Sequence, residues 1–179
     1  MVLHTTTRME GAEGPTRVVP EPVKEALDLI ESASPLVTAE GFAKLAHATF
    51  NNPICKEAAG ANGAIKLIAD AMARNLDNAS VQEDGCHVLR NVVFHCDPNV
   101  QLVREEGGLA AVLNAMQKHP DNEAVQAEGC WALVVFCSNH EENVAAAKAS
   151  QSVIEHALQK HPNNKDINTK GRFLQALLA

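Results

Sequence analysis

A chain of 179 residues has room for one domain with a substantial core and is short for two. Its formal charge of −7 argues against nucleic acid or anionic lipid as a partner, and its five cysteines, an odd number with no CxxC pair, make a poor disulfide framework. Hydrophobic residues reach 46% while aromatics reach only 3%, with no Tyr, a balance that suits helices packed closely on helices better than sheets.

Residues 1–20 are polar, carry Glu10 and Glu13, and are broken by Pro15 and Pro20. They hold no apolar core of signal-peptide length and read as a flexible arm, with Val18–Val19 as its anchor. No later run approaches the roughly 18 apolar residues of a membrane span, so the expectation is a soluble intracellular protein, cytoplasmic or nuclear. From residue 21 the chain reads as helices. In "NNPICKEAAGANG" (51–63), Asn52 caps a short helix and Pro53 opens it, where a missing N–H costs nothing. "DPNVQLVREEG" (97–107) repeats this, with Asp97 as the expected cap and Pro98 in the first turn. "GGLAAVLNAMQKHP" (107–120) sets Leu109, Val112, Leu113 and Met116 on one helical face and stops at Pro120. Asp121 or Asn122 then caps "EAVQAEGCWALVVFCSN" (123–139), which packs through Val125, Gly129, Leu133 and Phe136. The last stretch, "NKDINTKGRFLQALLA" (164–179), reads as a long helix stopped partway.

These elements recur. Gly85 and Gly129 stand 44 residues apart, and the same shift pairs Gly63 with Gly107, Asn78 with Asn122, Gln82 with Gln126, Cys86 with Cys130 and Asn99 with Asn143. "MQKHPDNEAVQAEG" (116–129) returns as "LQKHPNNKDINTKG" (158–171) at a shift of 42. A period of this length, written about four times, marks a solenoid whose units bury their apolar faces only against one another. The order short, medium, long helix, with "GG(L/I)…L…AM…(D/N)N…VQ…GC.AL", resembles the armadillo repeat over residues 22–179. The resemblance implies an all-α, right-handed solenoid of about four units with three helices each. The units fall near 21–62, 63–106, 107–150 and 151–179, the last incomplete.

The resemblance further implies that the third helices line a concave groove. Along it the register places Glu40, Asp84, Glu128 and Lys170, then Ala43, His87, Trp131 and Phe173, then His47, Asn91 and Val135, with Phe50, Phe94 and Ser138 beyond them. Importin-like relatives carry a Trp and, four residues on, an Asn that holds a peptide backbone. Here Trp131 is followed by Val135, and Asn91 is preceded by His87, so no unit keeps the pair and classical nuclear-import cargo is disfavoured. The candidate partner-binding residues are Trp131, Asn91, His87, His47, Asp84, Glu128, Phe94 and Phe173, with the acidic rung favouring a basic protein or peptide. His119 and His161, in matching "KHP" helix ends, read as structural.

No HExxH, His-x₃-His or paired CxxC supplies a metal site, and no phosphate loop or oxyanion hole is written, so neither enzyme nor cofactor is expected. Two functions follow. One is a non-catalytic interaction scaffold that binds a partner segment in the groove. The alternative is an assembly subunit, or a self-associating one, that stacks through its uncapped C-terminal end, with an exposed patch of Leu174, Leu177 and Leu178, and through its convex face.

Overall fold

Four asparagines start the architecture. The side-chain oxygens of Asn52, Asn78, Asn122 and Asn164 accept from the backbone N–H groups of Cys55, Val81, Val125 and Ile167 at 3.0–3.3 Å. Each satisfies one of the donors that a helix start leaves free. The computed structural model describes residues 18–179, as eleven helices with no strand among them. Two helices lead, α1 (Glu21–Ile30) and α2 (Pro35–Thr49). Three triplets follow: α3 (Pro53–Ala61), α4 (Ala64–Arg74) and α5 (Ala79–Val93); α6 (Asp97–Glu105), α7 (Gly108–Lys118) and α8 (Glu123–Cys137); α9 (Glu141–Lys148), α10 (Gln151–Lys160) and α11 (Lys165–Leu178). The long helices α2, α5, α8 and α11 pack on one another in that order, and α1, α4, α7 and α10 form a second row beside them.

The recurring residues each have a mechanical task. Gly63 and Gly107 sit at φ 73° and 83°, the left-handed region that a glycine enters without strain, and turn the chain from the short helix into the medium one. Gln82 Nε2 donates to the carbonyls of Met72 and Asn75, and Gln126 Nε2 donates likewise to Met116 and His119, at 2.8–2.9 Å. Each glutamine thus ties a medium helix to the long one after it. Buried Asn99 and Asn143 tie one unit to the next. Asn99 Nδ2 donates to Lys56 O and Val92 O at 2.8 Å, and Asn143 Nδ2 donates to Val100 O at 3.0 Å and Phe136 O at 2.7 Å. Gly85 and Gly129 leave room for Met72 and Met116, whose side chains would lie 2.6 Å from an added Cβ.

His119 and His161 are structural for a reason other than the helix dipole. Their Nε2 atoms meet Leu76 O and Pro120 O, each in the unit before, at 2.7 and 2.8 Å. A carbonyl can only accept, so both rings carry the proton on Nε2.

Two expectations change. Asp97 is not a cap: Cys96 occupies that position without a side-chain hydrogen bond, and Asp97 opens the helix beside Pro98, where its charge suits the dipole. Helix α11 has 14 residues, against 15 in α5 and α8. Leu174 and Leu178 are buried rather than exposed, because with Ile167 and Gly171 they fall at i, i+4, i+7 and i+11 on the inward face of α11. Only Phe173 and, in part, Leu177 remain accessible there. Of the N-terminal arm, residues 1–17 lie outside the described residues. Val19 packs on the core while Val18 stands exposed, and Pro20 precedes the first turn of α1.

Where each long helix hands over to the next short one, the chain passes through positive φ at Asn51 (49°), His95 (54°) and Asn139 (63°). Asparagine enters this region more readily than histidine. We expect His95→Asn to stabilise the fold by a few tenths of a kcal/mol to about 1 kcal/mol, read as an upward shift of the urea midpoint at unchanged slope.

Candidate functional site

The chain holds six aromatic residues, five Phe and one Trp. Phe42 and Phe136 are core. The other four are exposed at the long helices or their ends: Phe50 (68%) after α2, Phe94 (44%) after α5, Trp131 (40%) on α8 and Phe173 (50%) on α11. A protein so poor in aromatics places two-thirds of them on one row of helices, in contact with water. The sequence register predicts these positions, and the structure exposes them.

Trp131 is not a bare ring. Arg90, from α5 on one side, stacks its guanidinium 3.6 Å from the ring centroid, and Lys170, from α11 on the other, brings Nζ to 4.5 Å. Such cation–π contacts are worth about 0.5–2 kcal/mol each and hold the indole between its neighbours. Arg90 also pairs with Glu128 at 3.1 Å, but obliquely, so that Glu128 Oε2 gains charge contact without an aligned hydrogen bond. Its Nη2 meets His87 Nδ1 at 3.3 Å, and His87 Nδ1 lies 3.9 Å from Glu128. An arginine always donates, so Nδ1 is the acceptor here.

This arrangement changes the reading of the acidic rung. Glu128 lies 3.1 Å from Arg90, so much of its charge is compensated within the protein. The Asp84 carboxyl is pushed up by burial, with His87 pulling it partway back. Glu83 beside it is pushed up by burial and by the charges of Asp84 and Glu128.

Beside the tryptophan lies a cleft of about 220 Å³, lined by Phe50, Asn51, Lys56, Arg90, Asn91, Phe94 and Trp131. A second hollow of about 280 Å³ continues from it past Val135, Ser138 and Asn139, with Phe94 and Trp131 lining both. Of the predicted residues, the structure therefore joins Asn91, Phe94 and Trp131 in one cleft and gathers His87 and Glu128 behind it through Arg90. His47 stands exposed on α2, and neither it nor Phe173 lines the cleft. A larger hollow, about 430 Å³, lies between α4 and α7. Charges in it are matched by neighbours: Lys66 pairs with Asp70 at 2.9 Å, and the Lys66 backbone N–H donates to Glu106.

Sequence reading missed Lys56 and Arg90. Their signal was present as a break in the repeat: 44 residues on, Lys56 becomes Val100 and Arg90 becomes Val134. A charge where the next unit carries valine marks a position held for something other than packing.

All five cysteines are free thiols and buried. Burial pushes the Cys130 and Cys137 thiols up to about 12 and raises Cys86 and Cys96 as well, so none of these four offers a thiolate near neutral pH.

Short, medium and long helices in repeating triplets, with the long ones stacked into an aromatic-bearing face, define an armadillo-type α-solenoid. The profile of the LRRK2 ARM repeat family matches residues 14–173, and the chain belongs to that family. No curated protein and no solved structure matched the chain. Armadillo repeats are interaction modules that typically bind proteins. No helix among the described residues is long and apolar enough to cross a membrane.

Proposed function

We propose that this chain is a non-catalytic scaffold that holds a segment of a partner protein along the face formed by α2, α5, α8 and α11. The observation that supports this best is the exposed aromatic series Phe50, Phe94, Trp131 and Phe173. Binding surfaces concentrate their energy in such partly sheltered aromatics, with tryptophan foremost. Trp131 supplies rigid apolar area between the two hollows. Asn91, whose side-chain amide makes no hydrogen bond to the described residues, is placed to bond a peptide backbone. The assembly-subunit alternative invokes the C-terminal end and the convex face; of its three C-terminal leucines, Leu174 and Leu178 are core residues of α11.

Trp131→Ala tests the reading. Truncating a hot spot costs about 2 kcal/mol or more, so partner capture should fall at least thirtyfold in affinity. Ile54→Ala, at an exposed apolar residue outside both hollows, should leave it unchanged. Equal capture by wild type and Trp131→Ala would place the interaction elsewhere.

A further inference from the structure

The cleft beside Trp131 contains a cation without an anion. Lys56, on α3, is 6% exposed. Its Nζ donates to the backbone carbonyl of Phe94 and lies 5.3 Å from the centre of the Phe94 ring. Among the described residues no carboxylate stands within ion-pair distance of it. The lysine stem is buried and its ammonium, part-buried at the cleft wall, has one neutral carbonyl as its polar partner among the described residues; packing alone does not require a charge there, since Val100 fills the equivalent place one unit on. Partial burial lowers its pKa.

Arg90 lines the same cleft, nine-tenths buried along its side chain. Its Nε–H is buried without an acceptor, and Glu128 engages the guanidinium only obliquely. The seven lining residues thus include two cations and no carboxylate. The remaining walls are three aromatic rings, from Phe50, Phe94 and Trp131, and two amides, from Asn51 and Asn91. A cavity of about 150 Å³ accommodates a benzene ring, so about 220 Å³ has room for one large apolar side chain and a carboxylate beside it.

We propose that this cleft receives an acidic-apolar peptide segment of the partner protein, its Asp or Glu carboxylate meeting Lys56 and Arg90 and its apolar side chain lying among Phe50, Phe94 and Trp131. The inference rests on the groove-binding reading above and specifies its ligand. It departs from the expectation of a basic partner, which rested on Asp84 and Glu128; neither carboxylate lines this cleft, and Glu128 lies 3.1 Å from Arg90. The charge of −7 over the whole chain disfavours acidic peptides elsewhere on the surface, which makes the cleft selective.

Trp131 is the only tryptophan, so its fluorescence reports on the cleft directly. The probes are two blocked nine-residue peptides with the same Leu and Phe positions, one carrying Glu at the alternate positions and the other Lys. We expect the Glu peptide to change Trp131 emission saturably and the Lys peptide to bind at least tenfold more weakly. Lys56→Met should weaken the Glu peptide at least tenfold while the melting temperature, followed by circular dichroism, stays equal or rises. That opposition of binding and stability marks a charge kept for a ligand, whereas a purely structural lysine would lower the melting temperature on removal. A Lys peptide that binds Trp131 as well as the Glu peptide overturns this inference and leaves the groove reading standing. So does a Lys56→Met chain of unchanged affinity. If neither peptide perturbs Trp131 at millimolar concentration, both readings fall.

Discussion

Asn143→Ala should destabilise the solenoid by about 3 kcal/mol, a loss out of proportion to the size of the side chain. Phe136 O is among the last carbonyls of α8, where no backbone donor of the same helix remains to reach it, and Asn143 Nδ2 satisfies it at 2.7 Å. The other proton of the same amide goes to Val100 O on α6, in the preceding unit, at 3.0 Å. Removing the amide leaves one buried carbonyl unpaired, at about 1–3 kcal/mol, and deletes a second bond worth about 1 kcal/mol. Asn143→Asp sharpens the test because it keeps the shape and reverses the chemistry. A carboxylate cannot donate, so it would face two carbonyl oxygens at hydrogen-bond distance. The charged form is then disfavoured in the folded chain, and the pKa of the introduced group is raised above its unfolded value of about 3.9. The added penalty is absent below that value and grows as pH rises through the folded pKa. Urea melts of wild type, Asn143→Ala and Asn143→Asp between pH 4 and 7 would measure both effects. A pH-independent deficit in Asn143→Asp, or a loss under about 1 kcal/mol in Asn143→Ala, would show that water replaces the amide and that the bridge is dispensable.

Those asparagines also show what repetition reveals and what it conceals. The 44-residue recurrence of Gln82 with Gln126, and of Asn99 with Asn143, is plain in the sequence, and with it the period, the helix order and the armadillo resemblance. Its cause is not legible there. A buried amide that reaches carbonyls on two different helices looks, in one dimension, like any polar residue in a short helix. The same blindness produced the expectation of an exposed C-terminal patch. Leu174 and Leu178 lie 42 residues after Ala132 and Phe136, both core, and the register pointed inward all along. Reading "FLQALLA" as a run of apolar letters obscured that only one face of α11 needs them.

The candidate site was legible in its aromatics and hidden in its charges. Trp131 and Phe94 followed from register, because the repeat assigns each position a side of the helix. Lys56 and Arg90 were invisible to the same logic, since it seeks agreement between units and they are disagreements. Long side chains also cross between elements: Arg90 starts on α5 and ends on the ring of Trp131 on α8, and Lys56 starts on α3 and ends at Phe94, beyond α5. No helical wheel contains those contacts. In a repeat protein, consensus positions make the rod, and departures from consensus at buried positions are where a ligand is to be sought.

Gly60→Ala carries the other large expected effect, and its sign should depend on a residue 39 positions away in the sequence. In an isolated helix this change would stabilise by about 1 kcal/mol, because glycine loses more backbone freedom than alanine. In α3 an added Cβ would lie 1.8 Å from Asn99 Oδ1 and 2.6 Å from its Cγ. Asn99 cannot swing aside cheaply, since its Nδ2 is held at 2.8 Å by both Lys56 O and Val92 O. Its Oδ1 is buried against the glycine without a hydrogen-bond partner, so the close approach is what the amide accepts in order to make its two donor bonds. Gly60→Ala must therefore expel the amide or part α3 from α6, and the net loss should be about 2–3 kcal/mol. Once Asn99→Ala has removed the amide, the obstacle is gone. In that background Gly60→Ala should be neutral or stabilising by up to about 1 kcal/mol, a reversal of sign and a coupling near 3 kcal/mol. Urea denaturation of the four chains in this double-mutant cycle would measure it. Additive losses would mean that the helices yield as a body, and that the unit-to-unit amide is not the element that sets how closely α3 and α6 approach.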